Sequence, residues 1–294
     1  MSYFRPSKFM FFMIGLLIWQ FPLANSATSF SVHYRVESIA DDGMYTYYIE
    51  LIKGALDNTQ EEYGPYQLIP LFELTFPRAK LLAKNNLVSN LLIGTSYSTE
   101  MASQYAFVPL PIDFGMMSYR VCFTRKEKLA ELKQATQLDQ LRQYTIGQGK
   151  SWLDVEVLKA NGFNVIEYAS YKSLFPSVAR GRFDLFCRSV TEILPEWDAH
   201  KSINNLALDE SFALYYPFPR FFWTNKNNHL LLERVTKGLT RMYQDGTALK
   251  IWKKHNQKNL DFAKLSSRRI FYLHNPQLEG IDLNFKQYFY NPPF

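Results

Sequence analysis

The run Phe163-Asn-Val-Ile-Glu-Tyr-Ala-Ser-Tyr-Lys-Ser-Leu-Phe-Pro-Ser-Val-Ala-Arg-Gly-Arg-Phe-Asp-Leu-Phe-Cys-Arg-Ser-Val190 reads as strand, helix, strand. Phe163 to Tyr168 is a short apolar-rich strand pattern, Tyr171 to Arg180 has helical spacing, and Phe183 to Val190 is again strand-like. Gly181 follows the helix, where glycine takes the left-handed conformation cheaply, and so marks its stop. Just upstream, a strand at Tyr144–Gly147 feeds a helix at Ser151–Ala160, ended by Asn161-Gly162. The same alternation extends toward the amino end. Strands are predicted at Phe30–Val36, Tyr66–Leu71, Leu91–Gly94 and Gly115–Thr124. Helices are predicted at Tyr45–Leu56, after the Asp41-Asp-Gly43 turn, and at Pro77–Lys84, proline suiting a first helical turn. This pattern predicts an α/β fold with mainly parallel sheets covered by helices on both faces. Toward the carboxyl end, Tyr215-Tyr-Pro-Phe-Pro219 is stiffened by its prolines and reads as a crossing segment. Two helices follow, Asn228–Tyr243 with an apolar stripe at Leu231, Val235, Leu239 and Met242, and Thr247–His255, capped by Thr247 after the Asp245-Gly246 turn.

The first residues carry a different signal. Arg5 and Lys8 precede an apolar run from Phe9 to Trp19, Pro22 breaks it, and small residues follow at Ala24, Ser26 and Ala27. This is the pattern of a cleavable secretory signal peptide over residues 1–27, which places the mature chain in the periplasm. The apolar run falls short of the roughly 20 residues needed to span a bilayer. Removing Arg5 and Lys8, the only charges of the leader, lowers the net charge from +6 to +4. The densest basic clusters, Lys253-Lys254 and Arg268-Arg269, read as solvated surface, so no nucleic-acid partner is expected.

Cys122 and Cys187 form an even pair, which bridges readily in an oxidising compartment. Each also lies in a strand-like apolar run, where cysteine serves as a small hydrophobe, and both readings stay open. The five histidines are scattered without metal-ligand spacing, so neither a zinc site nor a cofactor is expected. No nucleophile and base stand at a spacing that suggests covalent catalysis.

Three stretches together resemble the bacterial extracellular solute-binding proteins of family 3, the amino-acid-type periplasmic binding proteins. They are Ile146-Gly-Gln-Gly-Lys-Ser-Trp152, Val178-Ala-Arg-Gly-Arg-Phe-Asp184, and Tyr243-Gln-Asp-Gly-Thr-Ala-Leu-Lys-Ile-Trp-Lys253. Trp152-Leu-Asp154, Arg182-Phe-Asp-Leu-Phe-Cys-Arg188, Glu192, Tyr216-Pro-Phe-Pro219 and the tail Arg269-Ile-Phe-Tyr-Leu-His-Asn-Pro276 are similar to a subgroup without an assigned ligand. The resemblance implies a two-lobed, type II periplasmic-binding-protein-like fold with two crossing hinge strands and a ligand cleft between the lobes. Lobe 1 would take 28–120 plus 222–294, and lobe 2 would take 121–221. Two positions depart from the family. The arginine that clamps an α-carboxylate falls at Met101, and the aspartate that holds an α-ammonium falls at Ser189, beside Arg188. Both departures argue against an ordinary amino-acid ligand.

Candidate ligand residues follow from charge and position. Lys150, Ser151 and Trp152 stand where a glycine-containing loop enters a helix, whose unpaired N–H groups and dipole favour an anion; alternatively, Ser151 simply caps that helix. Arg188, at a strand end, offers a bidentate fork to a carboxylate or phosphate, or else pairs with Glu192 or another acid. Trp152 stacks on a ligand or packs between lobes. Arg78 reaches the cleft or is solvated. Arg35, Glu37 and Tyr45 flank the first strand end, where Arg35 and Tyr45 are candidate pocket wall. Asp154 meets a helix dipole, and Asp184 reads as a backbone acceptor.

Three functions remain in competition. The first is a monomeric solute carrier that delivers a small anionic ligand to an inner-membrane ABC permease. The second is a ligand-binding protein that presents its closed form to a sensor receptor. The third is an enzyme on the same scaffold, for which Asp154, Glu192 and Glu37 are the available acids. The carrier, which catalyses nothing, fits best.

Overall fold

In the computed structural model, residues 1–3, 30–36, 42–279, 281 and 283–290 are described. The expected leader beyond residue 3, Glu37 and the Tyr45 side chain lie outside them. The chain begins with β1 (Phe30–Arg35), α1 (Asp42–Asp57) and α2 (Gln60–Tyr63), followed by β2 (Tyr66–Leu71), α3 (Phe76–Lys84), β3 (Leu91–Ser96), α4 (Thr99–Gln104) and β4 (Ala106–Phe107). Next come β5 (Tyr119–Arg125), α5 (Leu129–Lys133), α6 (Leu138–Arg142), β6 (Thr145–Gly149), α7 (Leu153–Ala160), β7 (Asn164–Tyr168), α8 (Tyr171–Ala179), β8 (Phe186–Ser189), α9 (Ile193–His200) and β9 (Leu206–Leu208). The chain returns through β10 (Phe212–Tyr215) and β11 (Arg220–Thr224) to α10 (His229–Gln244), α11 (Thr247–Ala263) and β12 (Arg269–Tyr272).

The strands form two larger sheets. The first has the order β2-β1-β3-β11-β4, with β1 parallel to β2 and β3, and β11 antiparallel to β3 and β4. The second has the order β12-β10-β5-β8, and β9 also pairs with β5. The parallel pair β6-β7 adjoins it through a bridge between Ile146 and Leu185. The expectation of mainly parallel sheets is therefore corrected. β5 carries the chain out of the first sheet, so it runs against β8, β9 and the returning β10.

Local signals explain most element ends. Gly162 and Gly181, read as helix stops, have φ of 84° and 69°, conformations that a Cβ would strain. Two starts differ from expectation. β5 begins at Tyr119 rather than Gly115, because residues 116–118 form a turn of 3₁₀ helix. Thr247 is the first residue of α11 and not its cap; its N–H instead donates to Asp245 Oδ1 at 2.8 Å. That helix also runs on to Ala263, burying Trp252, Leu260 and Ala263. Burying such side chains stabilises by about 1.5–3 kcal/mol each, ample to extend a helix past a weak local signal.

The strand β12 lies beside β10, parallel to it, so Arg269–Tyr272 belongs to the second sheet although the sequence reading grouped it with the first lobe. The tail then returns to the first sheet. Gln277 accepts from the N–H and hydroxyl of Thr99 and donates to Glu156, while Leu278 and Phe285 pack with Phe221 and Trp223. Cys122 and Cys187, directly opposite on β5 and β8, are joined by a disulfide. Among the described residues, no helix is long and apolar enough to cross a membrane, and no group of three or more His, Cys, Asp or Glu is placed to hold a metal.

Candidate functional site

One wall of a cavity stands at the end of the first sheet where β1 and β3 finish and β11 begins. Tyr34, Arg35, Tyr48, Gly94, Arg220 and Phe222 line it, around about 420 Å³ of empty space that is partly open to solvent. Arg35 is anchored by its Nε, which donates to Leu74 O at 2.8 Å, and its guanidinium lies 5.6 Å from the Phe76 ring. Arg220 reaches the same wall because it pairs with Ser96 in register. Its Nη2 donates to Gly94 O at 3.3 Å, and its guanidinium lies 5.6 Å from the Tyr48 ring. Burial pushes the Tyr48 hydroxyl up to about 12, against the pull of Arg220. Two arginines thus stand on one half-buried wall.

Asp113 lies beneath this wall, 4 % exposed. It accepts from the N–H groups of Met117 at 3.1 Å, and of Gly115 and Arg220 at 3.4 Å. Burial nevertheless pushes its carboxyl up to about 6, with Arg220 and those N–H groups holding it back. A carboxyl raised in the folded state stabilises most below its unfolded value of 3.8, and that contribution is lost as pH rises through about 6. The stability of wild type relative to Asp113→Asn should therefore fall by about 2–3 kcal/mol as pH rises across this window. Urea melts at several pH values measure this; a difference independent of pH would show that Asp113 is ionised throughout.

A second candidate wall comes from the other sheet, whose residues are not among those lining that cavity. The Trp152 ring folds back over Gly149, where any side chain would collide with the indole. Arg188, projecting from β8, has its guanidinium 4.7 Å from the Trp152 ring, 5.6 Å from Tyr171 and 5.7 Å from Phe186. Its Nε donates to Glu196 Oε1 at 2.7 Å, and its Nη2 lies 3.0 Å from Glu192 Oε2. Tyr171 OH donates to the same Glu196 oxygen at 2.7 Å. Burial pushes Glu196 up to about 7, with Arg188 pulling it down. Glu192 also bears electrostatically on Tyr48, raising its hydroxyl.

Behind this wall, Asp154 pairs with Arg120 at 2.8 Å and accepts from Tyr216 OH at 2.5 Å. Burial opposes the charge of Asp154, but Arg120 holds its carboxyl below the usual range. Asp154 thus links α7 to β5 and to the segment after β10. Asp184 accepts from the Thr145 N–H at 2.9 Å and its hydroxyl at 2.8 Å, and lies 3.2 Å from Arg125.

The sequence-predicted residues divide accordingly. Arg35 lies on the first wall, Trp152 and Arg188 on the second. Arg188 has the acid partners of its alternative reading, and its charge is matched by two carboxylates. Lys150 and Ser151 are exposed. Ser151 caps nothing: it takes φ of 65°, the helix starts at Leu153, and its N–H points at Glu167 Oε2, 3.4 Å away. Arg78 is exposed on α3. Met101 is buried in an apolar cluster, and Ser189 is buried with its hydroxyl 2.9 Å from that of Thr191. Neither position supplies a charge. Sequence reasoning missed Arg220, Tyr48, Tyr171 and Glu196. Only Arg220 carried a local hint, as the first residue past the proline-stiffened crossing.

Two α/β sheets exchange chain through β5 and the β10–β11 segment, and a cavity opens at the strand ends of the first. The fold is that of a type II periplasmic binding protein. The probable amino-acid ABC transporter extracellular-binding protein of Bacillus subtilis matches with a TM-score of 0.57 at 12% identity, over 77% of this chain and 97% of that one. A Salmonella typhimurium periplasmic binding protein with high arginine specificity matches with a TM-score of 0.55 at 12% identity, over 78% and 100%. A histidine kinase sensor domain with similarity to periplasmic binding proteins matches with a TM-score of 0.54 at 18% identity, over 78% and 96%. No protein-family model matches the sequence, and a search of curated proteins returns no match. At such identities a type II binding-protein fold is shared while side-chain chemistry is free to differ.

Proposed function

We propose that the chain is an exported solute-binding protein that closes two lobes around a small ligand carrying an anionic group, and delivers it to an ABC-type importer. The observation that carries this reading is the cavity wall holding both Arg35 and Arg220. On this reading the lobes are 28–120 plus 222–294 and 121–221, and the pairing of β12 with β10 favours adding Arg269–Tyr272 to the second. The anionic group is assigned to Arg35 and Arg220, which line that cavity, while Arg188 is held between Glu192 and Glu196. A receptor-coupled sensor is the second reading, favoured by the likeness to a histidine kinase sensor domain. The enzyme reading draws less support, since Asp154 is held by Arg120 and Tyr216.

Common α-amino acids should bind weakly, because Met101 and Ser189 present no charge. A thermal-shift screen of carboxylates, phosphate esters and the twenty amino acids tests the reading, with calorimetry on each hit. Arg220→Ala should weaken an anionic hit roughly ten- to a hundredfold, the worth of a charged hydrogen bond. Tight binding of an uncharged ligand, unaffected by Arg220→Ala, would overturn the anionic assignment.

A further inference from the structure

The second wall contains the parts of a cation receptor. Three rings surround one point, at 4.7, 5.6 and 5.7 Å, and two carboxylates lie 2.7 and 3.0 Å from the charged group between them. Ring faces attract a cation through their quadrupole, and carboxylates add charge-assisted hydrogen bonds. The group now in that place is a guanidinium belonging to the chain itself. Glu196 Oε2 is buried without a hydrogen-bond partner among the described residues, so the box has more acceptor capacity than its occupant uses.

We propose that Trp152, Tyr171, Phe186, Glu192 and Glu196 form a cation-binding box in the cleft, whose resident occupant is Arg188. Arg188 acts there as a specificity-determining residue. By filling the box, it denies the second wall to ligands with a guanidinium or ammonium end, which leaves the Arg35–Arg220 wall to select the ligand. This deepens the binding-protein reading and rests on it. Its test needs no natural ligand, so its failure is distinguishable from failure of that reading.

Truncation to alanine removes the atoms of ethylguanidinium, which is therefore the probe. With millimolar ethylguanidinium chloride, the melting temperature of Arg188→Ala should rise by about 2–4 °C, as expected when a ligand binds the folded state alone. Wild type should show no rise, since its box is full and guanidinium salts weaken folded proteins. Potassium chloride at equal ionic strength should not reproduce the gain, and adding Glu196→Gln to Arg188→Ala should abolish it. A folded Arg188→Ala protein that responds like wild type would overturn the proposal. If Arg188→Ala does not fold alone, refolding with ethylguanidinium decides: recovery of folded protein supports the box, and no recovery overturns it.

Discussion

Replacing Arg120 by methionine should cost the fold about 3–5 kcal/mol, the usual result of stranding one partner of a buried ion pair. Arg120 is 3 % exposed in its side chain and Asp154 is 14 % exposed. The guanidinium donates to Asp154 at 2.8 Å, contacts Tyr216 OH at 3.0 Å and donates to the Met117 carbonyl. It also lies 5.1 Å from the Tyr216 ring and 4.8 Å from that of Phe218. Methionine fills much of the volume but leaves the Asp154 carboxylate buried with a hydroxyl as its remaining donor. Adding Asp154→Asn should therefore recover part of the loss, because the stranded charge is then gone. Urea unfolding of the two single variants and the double variant measures the cycle. A cost below about 1 kcal/mol for Arg120→Met would mean that water already reaches Asp154. The affected joint ties β5 to the segment after β10 and to α7, since Arg120 lies on β5, Tyr216 follows β10 and Asp154 is in the first turn of α7.

Loss of the Cys122–Cys187 bond should lower stability by a comparable amount. The two residues are 65 apart, and the loop between them contains α5, α6, β6, α7, β7 and α8. Chain-entropy arguments for a loop of that length give about 4 kcal/mol, so Cys122→Ala with Cys187→Ala should melt on the order of 10 °C below wild type. Both cysteines are at most 1 % exposed, so reductant should leave the native protein unchanged and act once the chain has opened. Equilibrium urea curves with and without reductant should therefore diverge for wild type and coincide for the double variant. Coincident wild-type curves, with a double variant of undiminished stability, would mean that the bond carries none of the fold's stability.

The candidate site was only partly legible in the sequence. Arg35 could be placed because it ends the first strand, and the ends of parallel strands are where such folds bind ligands. Trp152 and Arg188 were singled out for ring and charge, but the rotation of Trp152 over Gly149 was invisible. Arg188 illustrates the limit best. Both of its readings were chemically sound, and the choice turned on α9, a helix that the sequence reading did not identify. Glu192 and Glu196 stand four and eight residues beyond Arg188, yet they meet it only because α9 folds back onto the end of β8. Ser151 failed for a more local reason. Its left-handed backbone moved the helix start to Leu153, and no spacing rule anticipates that in a residue other than glycine.

By itself the sequence determined the alternation of strands and helices, the places where glycine ends a helix and the proline-stiffened crossing. Those features depend on neighbours within one or two turns, so period, propensity and turn chemistry suffice. The tertiary structure alone decided that Cys122 bonds Cys187, that β12 crosses to the second sheet, that Arg220 stands beside Arg35, and that Arg188 sits among its own acids. Each of these joins groups brought together by packing. Arg35 and Arg220 line one cavity because β1 and β11 flank β3, and Cys122 and Cys187 meet because β8 runs against β5. Strand order and register are set by the summed burial of whole faces, which no local stretch of the chain contains.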